Sequence, residues 1–324
     1  LAKDLSEPFR SMPVHEGLEQ RGNKGKGIWG DRNEVFAIYK EWRKLFNQYD
    51  PPRVAVAEAY VPADRLALYA SADELGQAFN FELLNANFNA HEFKTVIDRG
   101  ITQAKALGSS STWCLNNHDQ MRPATKYGLL PTVDQIRWKN SAGATSPLDE
   151  KLGVRSAIAA SMLIMALPGC TYIYQGDELG IHEVVDIPED QIQDPMYLRN
   201  HKKAKGRDGA RVPLPWTREG KNFGFGDGAP HRPQPEWFGS YSVEAEDNVP
   251  EAPLEIFRKA LKLRRELQCA EEITWHKTSR ENVLHFSRPN GWNCITNFKG
   301  GKYPMPAGEI LLATQPVMDG KIPA

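Results

Sequence analysis

Apolar positions along the chain change period in a regular way. From residue 31 a helical pattern sets in, with Val35, Ile38, Tyr39, Trp42, Leu45, Phe46 and Tyr49 at the three- and four-residue spacing of one helix face. Asp31, with Glu34 three residues on, gives this helix a candidate capping box. Pro51-Pro52 ends it, and Val54-Ala55-Val56-Ala57 reads at once as a short buried strand closing on Glu58. The unit then repeats. Residues 62–71 predict a short helix with proline in its first turn, 78–84 a strand, and 90–107 a helix with Phe93, Ile97, Ile101 and Ala104 on one face. Residues 111–115 predict a strand, 152–167 a buried helix, 170–174 a fourth strand and 254–267 a last long helix. Helix and strand in alternation are the pattern of parallel βα units. Residues 1–30, with Pro8, Pro13 and several glycines but no apolar period, read as a long loop.

Two stretches break the alternation. Residues 181–253 are rich in proline and carry Trp216 and Trp237 with little periodicity; a loop this long inside a compact domain is usually functional. After Cys269 the texture turns to short β-type runs at 272–278, 282–288, 292–298 and 309–313, and Pro289-Asn290-Gly291 predicts a hairpin turn between two of them. The expected organisation is therefore an α/β domain over residues 1–269 and a small antiparallel β domain over 270–324.

Composition narrows the class. Hydrophobic content of 40% and charged content of 25% are ordinary for a globular protein. A net charge of -1 gives no electrostatic case for nucleic acid or an anionic membrane. No apolar run approaches the length of a membrane span. Cys114, Cys170, Cys269 and Cys294 lie far apart without a Cys-x-x-Cys pair, so free thiols in a reducing compartment, and with them a cytoplasmic location, are expected.

The polar residues that matter stand at strand tips. In Trp113-Cys114-Leu115-Asn116-Asn117-His118-Asp119 an apolar run ends abruptly in four polar side chains. Asn, His and Asp are also common turn formers, but Glu58 and Asp177 stand just past strands in the same way. Parallel α/β folds place their chemistry on the loops that leave the strands' carboxyl ends. Carboxylates gathered in one cleft push each other's pKa apart, so that one can donate a proton while another stays ionised, as glycosidic cleavage requires. A metal site with His118 as a ligand is the rival use; without a His-x-x-x-His pair or a tight aspartate cluster, no metal is expected.

These residues carry a resemblance. Val56-Ala57-Glu58, then Asn117-His118-Asp119, then Tyr172-Ile173-Tyr174-Gln175-Gly176-Asp177-Glu178-Leu179-Gly180 resemble, in order, the later motifs of the α-amylase family, glycoside hydrolase family 13. Gly206-Arg207-Asp208-Gly209 is similar to a stretch of its α-glucosidase and oligo-1,6-glucosidase branch. The resemblance implies the C-terminal half of a (β/α)8 TIM barrel, strands five to eight, followed by a small antiparallel β-sandwich. It implies a retaining mechanism on α-glucosides such as maltose, isomaltose, sucrose or short malto-oligosaccharides. Glu58 matches the family's general acid/base and Asp119 its transition-state stabiliser. His118, Asn117 and Arg207 match positions that hold the sugar. No cofactor is implied, and a calcium site of the family would lie in its first barrel half.

One motif has no counterpart. The family's nucleophile is an aspartate in an Arg-x-Asp segment ahead of the acid, and no such segment precedes Glu58. Asp4 lacks the arginine and the strand, and Leu1-Ala2-Lys3-Asp4-Leu5 resembles the residues just C-terminal to that segment in the branch. The expectation is a C-terminal part of a longer enzyme, inactive by itself. A glucosyl transferase or isomerase of the same family and a non-catalytic binding relative are the alternatives.

Overall fold

The computed structural model describes residues 31–324, so the loop expected over 1–30 and the comparison at Asp4 lie outside the described residues. The chain divides into two compact units. Of the described residues, one holds 31–81, 96–113 and 168–170, and the other 82–95, 114–167 and 171–324.

The first unit opens with α1 (Glu34–Phe46), β1 (Ala55–Ala57), α2 (Ala63–Ala70) and β2 (Gly76–Ala78). β1 and β2 run parallel, Ala55 opposite Gly76 and Ala57 opposite Ala78, which is the βαβ connection that the alternation predicts. Val35, Ala57, Tyr69, Leu75 and Ala78 form its core. Two local expectations fail here. Asp31 does not cap α1; its carboxylate takes the Arg65 guanidinium at 2.7 Å and the Tyr69 hydroxyl at 3.0 Å, a charged partner that outcompetes a backbone N–H. Nor is the α1 stripe one face. Val35 is buried and Phe36 and Tyr39 pack on the core, but Ile38, Trp42, Leu45 and Tyr49 are exposed.

Next come α3 (Ala90–Ala106), β3 (Thr112–Cys114), α4 (Glu150–Ala166) and β4 (Cys170–Tyr172). The strand expected over 78–84 stops at Ala78. Leu83 and Leu84 are consecutive, and a helical turn over Glu82–Asn85 buries both where a strand would turn one outward. The Cys170 N–H donates to the Ser111 carbonyl at 2.8 Å, and the Trp113 indole N–H reaches the Pro168 carbonyl at 2.5 Å, so β3 enters its loop with its largest side chain anchored.

In the second unit α4 is apolar through most of its length and nine of its residues are buried. It packs with α5 (Pro253–Glu266) around Ile158, Met165, Ile256, Phe257 and Ala260. Asp149 caps α4 by accepting the Leu152 N–H at 2.9 Å. The long stretch 181–253 is folded without long elements: Leu179, Ile181, Val184, Ile187, Val212, Phe238 and Leu254 make a core of their own. The antiparallel strands β5 (Thr274–Trp275), β6 (Val283–Ser287) and β7 (Asn293–Asn297) follow in that order, with the expected turn at 289–291. β8 (Tyr303–Pro304) pairs with β9 (Lys321–Ile322). The run at 309–313 is not a strand, and Ile310 and Leu311 are exposed. No described helix is long and apolar enough to cross a membrane.

Candidate active site

The loop leaving β3 is built by its own side chains. Asn116 Oδ1 accepts the Asn117 N–H at 2.9 Å, and Asn117 Oδ1 accepts the Asp119 N–H at 2.8 Å. Such side-chain turns fix a backbone without a sheet or helix to hold it. They also explain the residue types: an apolar side chain at 116 or 117 would leave those N–H groups unpaired. Asn117 therefore orients Asp119 through the main chain.

Asp119 is the centre of the site. Its Oδ1 accepts from Arg207 Nη1 at 2.9 Å and from Arg211 Nη2 at 2.8 Å, and His118 Nε2 lies 3.3 Å away. Arg211 Nε also donates to the His118 carbonyl at 2.8 Å. The Asp119 side chain keeps 25% of its surface and His118 52%, so the cluster is open to a ligand. No described residue donates to Asp119 Oδ2. The resulting surface offers acceptor oxygen, guanidinium donors and an imidazole within one small patch, the equipment for binding vicinal hydroxyls.

Behind this patch stands a layer of charge that faces no solvent. Asp194, with a side chain 0% exposed, takes Arg207 Nε at 2.7 Å and Nη2 at 2.9 Å, and the N–H groups of Arg207 and Met196. The Arg207 guanidinium holds the Asp194 carboxyl well below the usual carboxylate range, and Asp194 in turn raises Arg207. Asp208, also buried, pairs with Arg232 at 2.6 Å and accepts the Asp194 N–H at 2.9 Å. Gly206 is required between them. At φ +80° it sits where a Cβ would lie 2.7 Å from the Asp194 carboxylate.

Arg122 fastens the loops together. Fully buried, it donates from Nη1 to the Gln175 carbonyl and from Nη2 to the Ala210 carbonyl, each at 2.9 Å, while its N–H goes to Glu183 Oε2 at 3.1 Å. Asp177 accepts from Asn116 Nδ2 at 2.9 Å and from the Tyr174 N–H at 3.2 Å. Burial pushes its carboxyl up to about 7, against the lowering effect of Asn116 and Arg122. Asp177 and Glu178 thus serve the loop after β4, Glu178 by accepting the Gly176 N–H at 2.8 Å.

Of the residues singled out in the sequence, Asn117, His118, Asp119 and Arg207 come together in the second unit. Glu58 belongs to the first, directly after β1, where it is exposed. Sequence reasoning missed Arg211, Asp194 and Arg122. Arg211 was within reach, since it stands four residues after Arg207 in the same motif. Asp194 carries no pattern that marks a buried ion pair, and Arg122 none that marks a bridge between loops. Among the described residues no group of three or more His, Cys, Asp and Glu side chains could hold a metal ion.

The patch stands on the loop leaving a strand's carboxyl end, where α/β folds carry their chemistry. Comparison with known proteins gives the family. Residues 11–272 match the model of the alpha amylase catalytic domain, and the chain belongs to the α-amylase family, glycoside hydrolase family 13. It is 32% identical over 211 residues to Maltase 1 of Drosophila virilis, covering 60% of this chain and 29% of that protein. To the salivary alpha-glucosidase of Aedes aegypti it is 26% identical, covering 80% and 42%. The oligo-1,6-glucosidase of Parageobacillus thermoglucosidasius matches at 25%, covering 81% and 49%. The chain therefore spans less than half the length of each of these relatives. The crystal structure of XgtA, an alpha-glucosyl transfer enzyme, superposes with a TM-score of 0.69 at 25% identity, covering 88% of this chain and 50% of that one.

Proposed function

We propose that this chain carries the sugar-binding and acid/base residues of a retaining glycosidase of α-glucosidase type. The observation that carries the reading is the Asp119 clamp, a partly exposed carboxylate whose Oδ1 is held by two guanidinium groups beside a histidine. In this reading Asp119 takes the hydroxyls of a glucosyl unit and stabilises the positive charge that develops at its anomeric carbon. His118, Asn117 and Arg207 orient the ring. Glu58 protonates the leaving oxygen and later activates the incoming water.

The fold reading behind it is half of a (β/α)8 barrel with a C-terminal sandwich, supported by the parallel β1–β2 pair and the antiparallel β5–β6–β7 sheet. Maltose, isomaltose, sucrose and short malto-oligosaccharides are the proposed substrates, and no cofactor is needed for this chemistry. Transfer to a second sugar in place of water is the alternative outcome, supported by the likeness to XgtA, an alpha-glucosyl transfer enzyme. A cytoplasmic location is proposed from four cysteines that remain free thiols.

Without an Arg-x-Asp segment ahead of Glu58, the covalent step lacks its carboxylate, and the 324 residues alone should bind a glucoside without turning it over. Titration calorimetry with maltose tests the reading. Binding that Asp119→Ala abolishes supports it, and the absence of binding by the unaltered chain would sink it. Release of 4-nitrophenol from its α-glucoside by the purified chain would refute the expected inactivity.

A further inference from the structure

Arg207 is shared by two carboxylates, and they are not equivalent. Asp194 takes two of its guanidinium N–H groups and its backbone N–H, and is sealed from solvent; Asp119 takes one N–H and is partly exposed. A buried carboxylate stripped of its partner is far more costly than a surface one. The Asp194 side of the pair is therefore the permanent one. The Arg207–Asp119 bond is the one that can open.

We propose that Asp194 is a positioning residue for Arg207: it anchors the guanidinium so that Nη1 alone faces Asp119 and can pass to a ligand hydroxyl without the arginine moving. The proposal rests on the glucoside reading for its ligand, but not for the anchor. Three features of the chain serve that anchor. Gly206 leaves room for the Asp194 carboxylate, which a Cβ would meet at 2.7 Å. Asp208 fixes the Asp194 backbone by accepting its N–H, and Arg232 neutralises Asp208. The four side chains Asp194, Arg207, Asp119 and Arg211 then sum to zero charge, so a neutral sugar can displace one bond without stranding a net charge.

Without Asp194, Arg207 would keep only the partly exposed Asp119 as a carboxylate partner, through a single N–H, and its fork would no longer be held in one orientation. The sugar would then meet a guanidinium that is not set to receive it.

Arginine footprinting with phenylglyoxal on the 324-residue chain, read by peptide mass spectrometry, tests the anchor without any activity. In Asp194→Asn, Arg207 should react about fivefold faster than in the unaltered chain, as expected on losing a charge-assisted pair, while buried Arg122 stays protected. Asp194→Glu, which restores the charge one methylene further out, should bring the rate back toward the original. Gly206→Ala keeps the carboxylate but presses on it, and should also expose Arg207. If Asp194→Asn opens the whole loop, shown by reaction at Arg122, Gly206→Ala decides. Unchanged Arg207 reactivity in the variants that keep Arg122 protected overturns the proposal.

Maltose supplies the second arm. It should slow modification of Arg207 in the unaltered chain, and Asp194→Asn should weaken its binding about tenfold, the loss of roughly one hydrogen bond. No protection by maltose would count against the glucoside reading alone, because the reagent rates still report the anchor. Protection by maltose with equal affinity in both proteins would overturn the role of Asp194 in ligand binding.

Discussion

Asn116 donates its side-chain amide to Asp177 Oδ1 at 2.9 Å, tying the loop after β3 to the loop after β4. The tie matters because Asp119 stands three residues beyond Asn116. It also places a carboxyl in a protein-enclosed position, where burial pushes it up to about 7. The folded chain binds this proton more tightly than the unfolded chain, whose aspartate titrates near 3.8. Its contribution to stability is then complete below pH 4 and is lost as pH rises through 7. Asp177→Asn keeps an acceptor for one donor and never ionises. Between pH 4 and 8 it should gain on the unaltered protein by roughly 2–4 kcal/mol, at about 1.4 kcal/mol per pKa unit. Urea unfolding at several pH values measures this, and parallel pH profiles for the two proteins would refute it.

Gly153 sets how close α4 can lie to the short helix Pro123–Lys126 that comes after the Asp119 loop. A Cβ there would stand 1.9 Å from the Ala124 carbonyl oxygen and 3.2 Å from the Gly128 Cα, all of it backbone that has no rotamer to yield. Helical propensity favours alanine at this position, yet Gly153→Ala should cost about 2–4 kcal/mol because the helices must part. A thermal melt decides it. A stability equal to or above the original would show that the contact relaxes freely.

These cases separate the features that leave a mark in the sequence from those that do not. Period and turn residues placed α3, α4, α5 and the β6–β7 hairpin, because each buries one face and is closed by proline, glycine or a capping aspartate. The pattern failed where tertiary partners intervened: Asp31 went to Arg65 and not to a cap, and Leu83-Leu84 chose a helical turn. For the candidate site, the grouping of Asn117, His118, Asp119 and Arg207 was legible because polar residues at a strand tip, and an ordered motif, stand out. Asp194 and Arg122 do not. Their partners are 13 and 53 or more residues away, and only folding reveals that Asp194 pairs with Arg207 and that Arg122 bridges two carbonyls.

His182 is buried, packs edge-on against Tyr241 at 5.7 Å, and neither ring nitrogen has a hydrogen-bond partner among the described residues. Burial lowers its pKa to about 4, below the 6.5 of an unfolded histidine. The unfolded chain thus takes up the proton first, and stability is lost as pH falls from 6.5 toward 4. His182→Phe keeps a ring for Tyr241 and removes both orphaned nitrogens, so it should stabilise by about 1 kcal/mol at pH 7. The margin should widen at pH 5. Equal or lower melting temperatures for the variant at both pH values would mean that the imidazole is paired in solution.

Arg122 gives the most direct test of how the site is held. Arg122→Met fills a similar volume but leaves the Gln175 carbonyl without its arginine donor, leaves the Ala210 carbonyl with the Tyr174 hydroxyl alone, and removes the cation over the Tyr174 ring, 5.4 Å away. One buried acceptor left unpaired and a second charge-assisted hydrogen bond lost should together cost about 3 kcal/mol. The loss should be local as well as global, because Ala210 lies between Arg207 and Arg211, whose guanidinium groups define Asp119 Oδ1. Amide exchange at Arg211, whose N–H donates to the Asp208 carbonyl at 2.9 Å, should accelerate more than exchange in α4. Arg122→Lys restores charge but cannot reach two carbonyls on separate loops from one fork, so it should recover less than half of the loss. Full recovery by lysine would show that charge, and not the bridge between loops, is what this position requires.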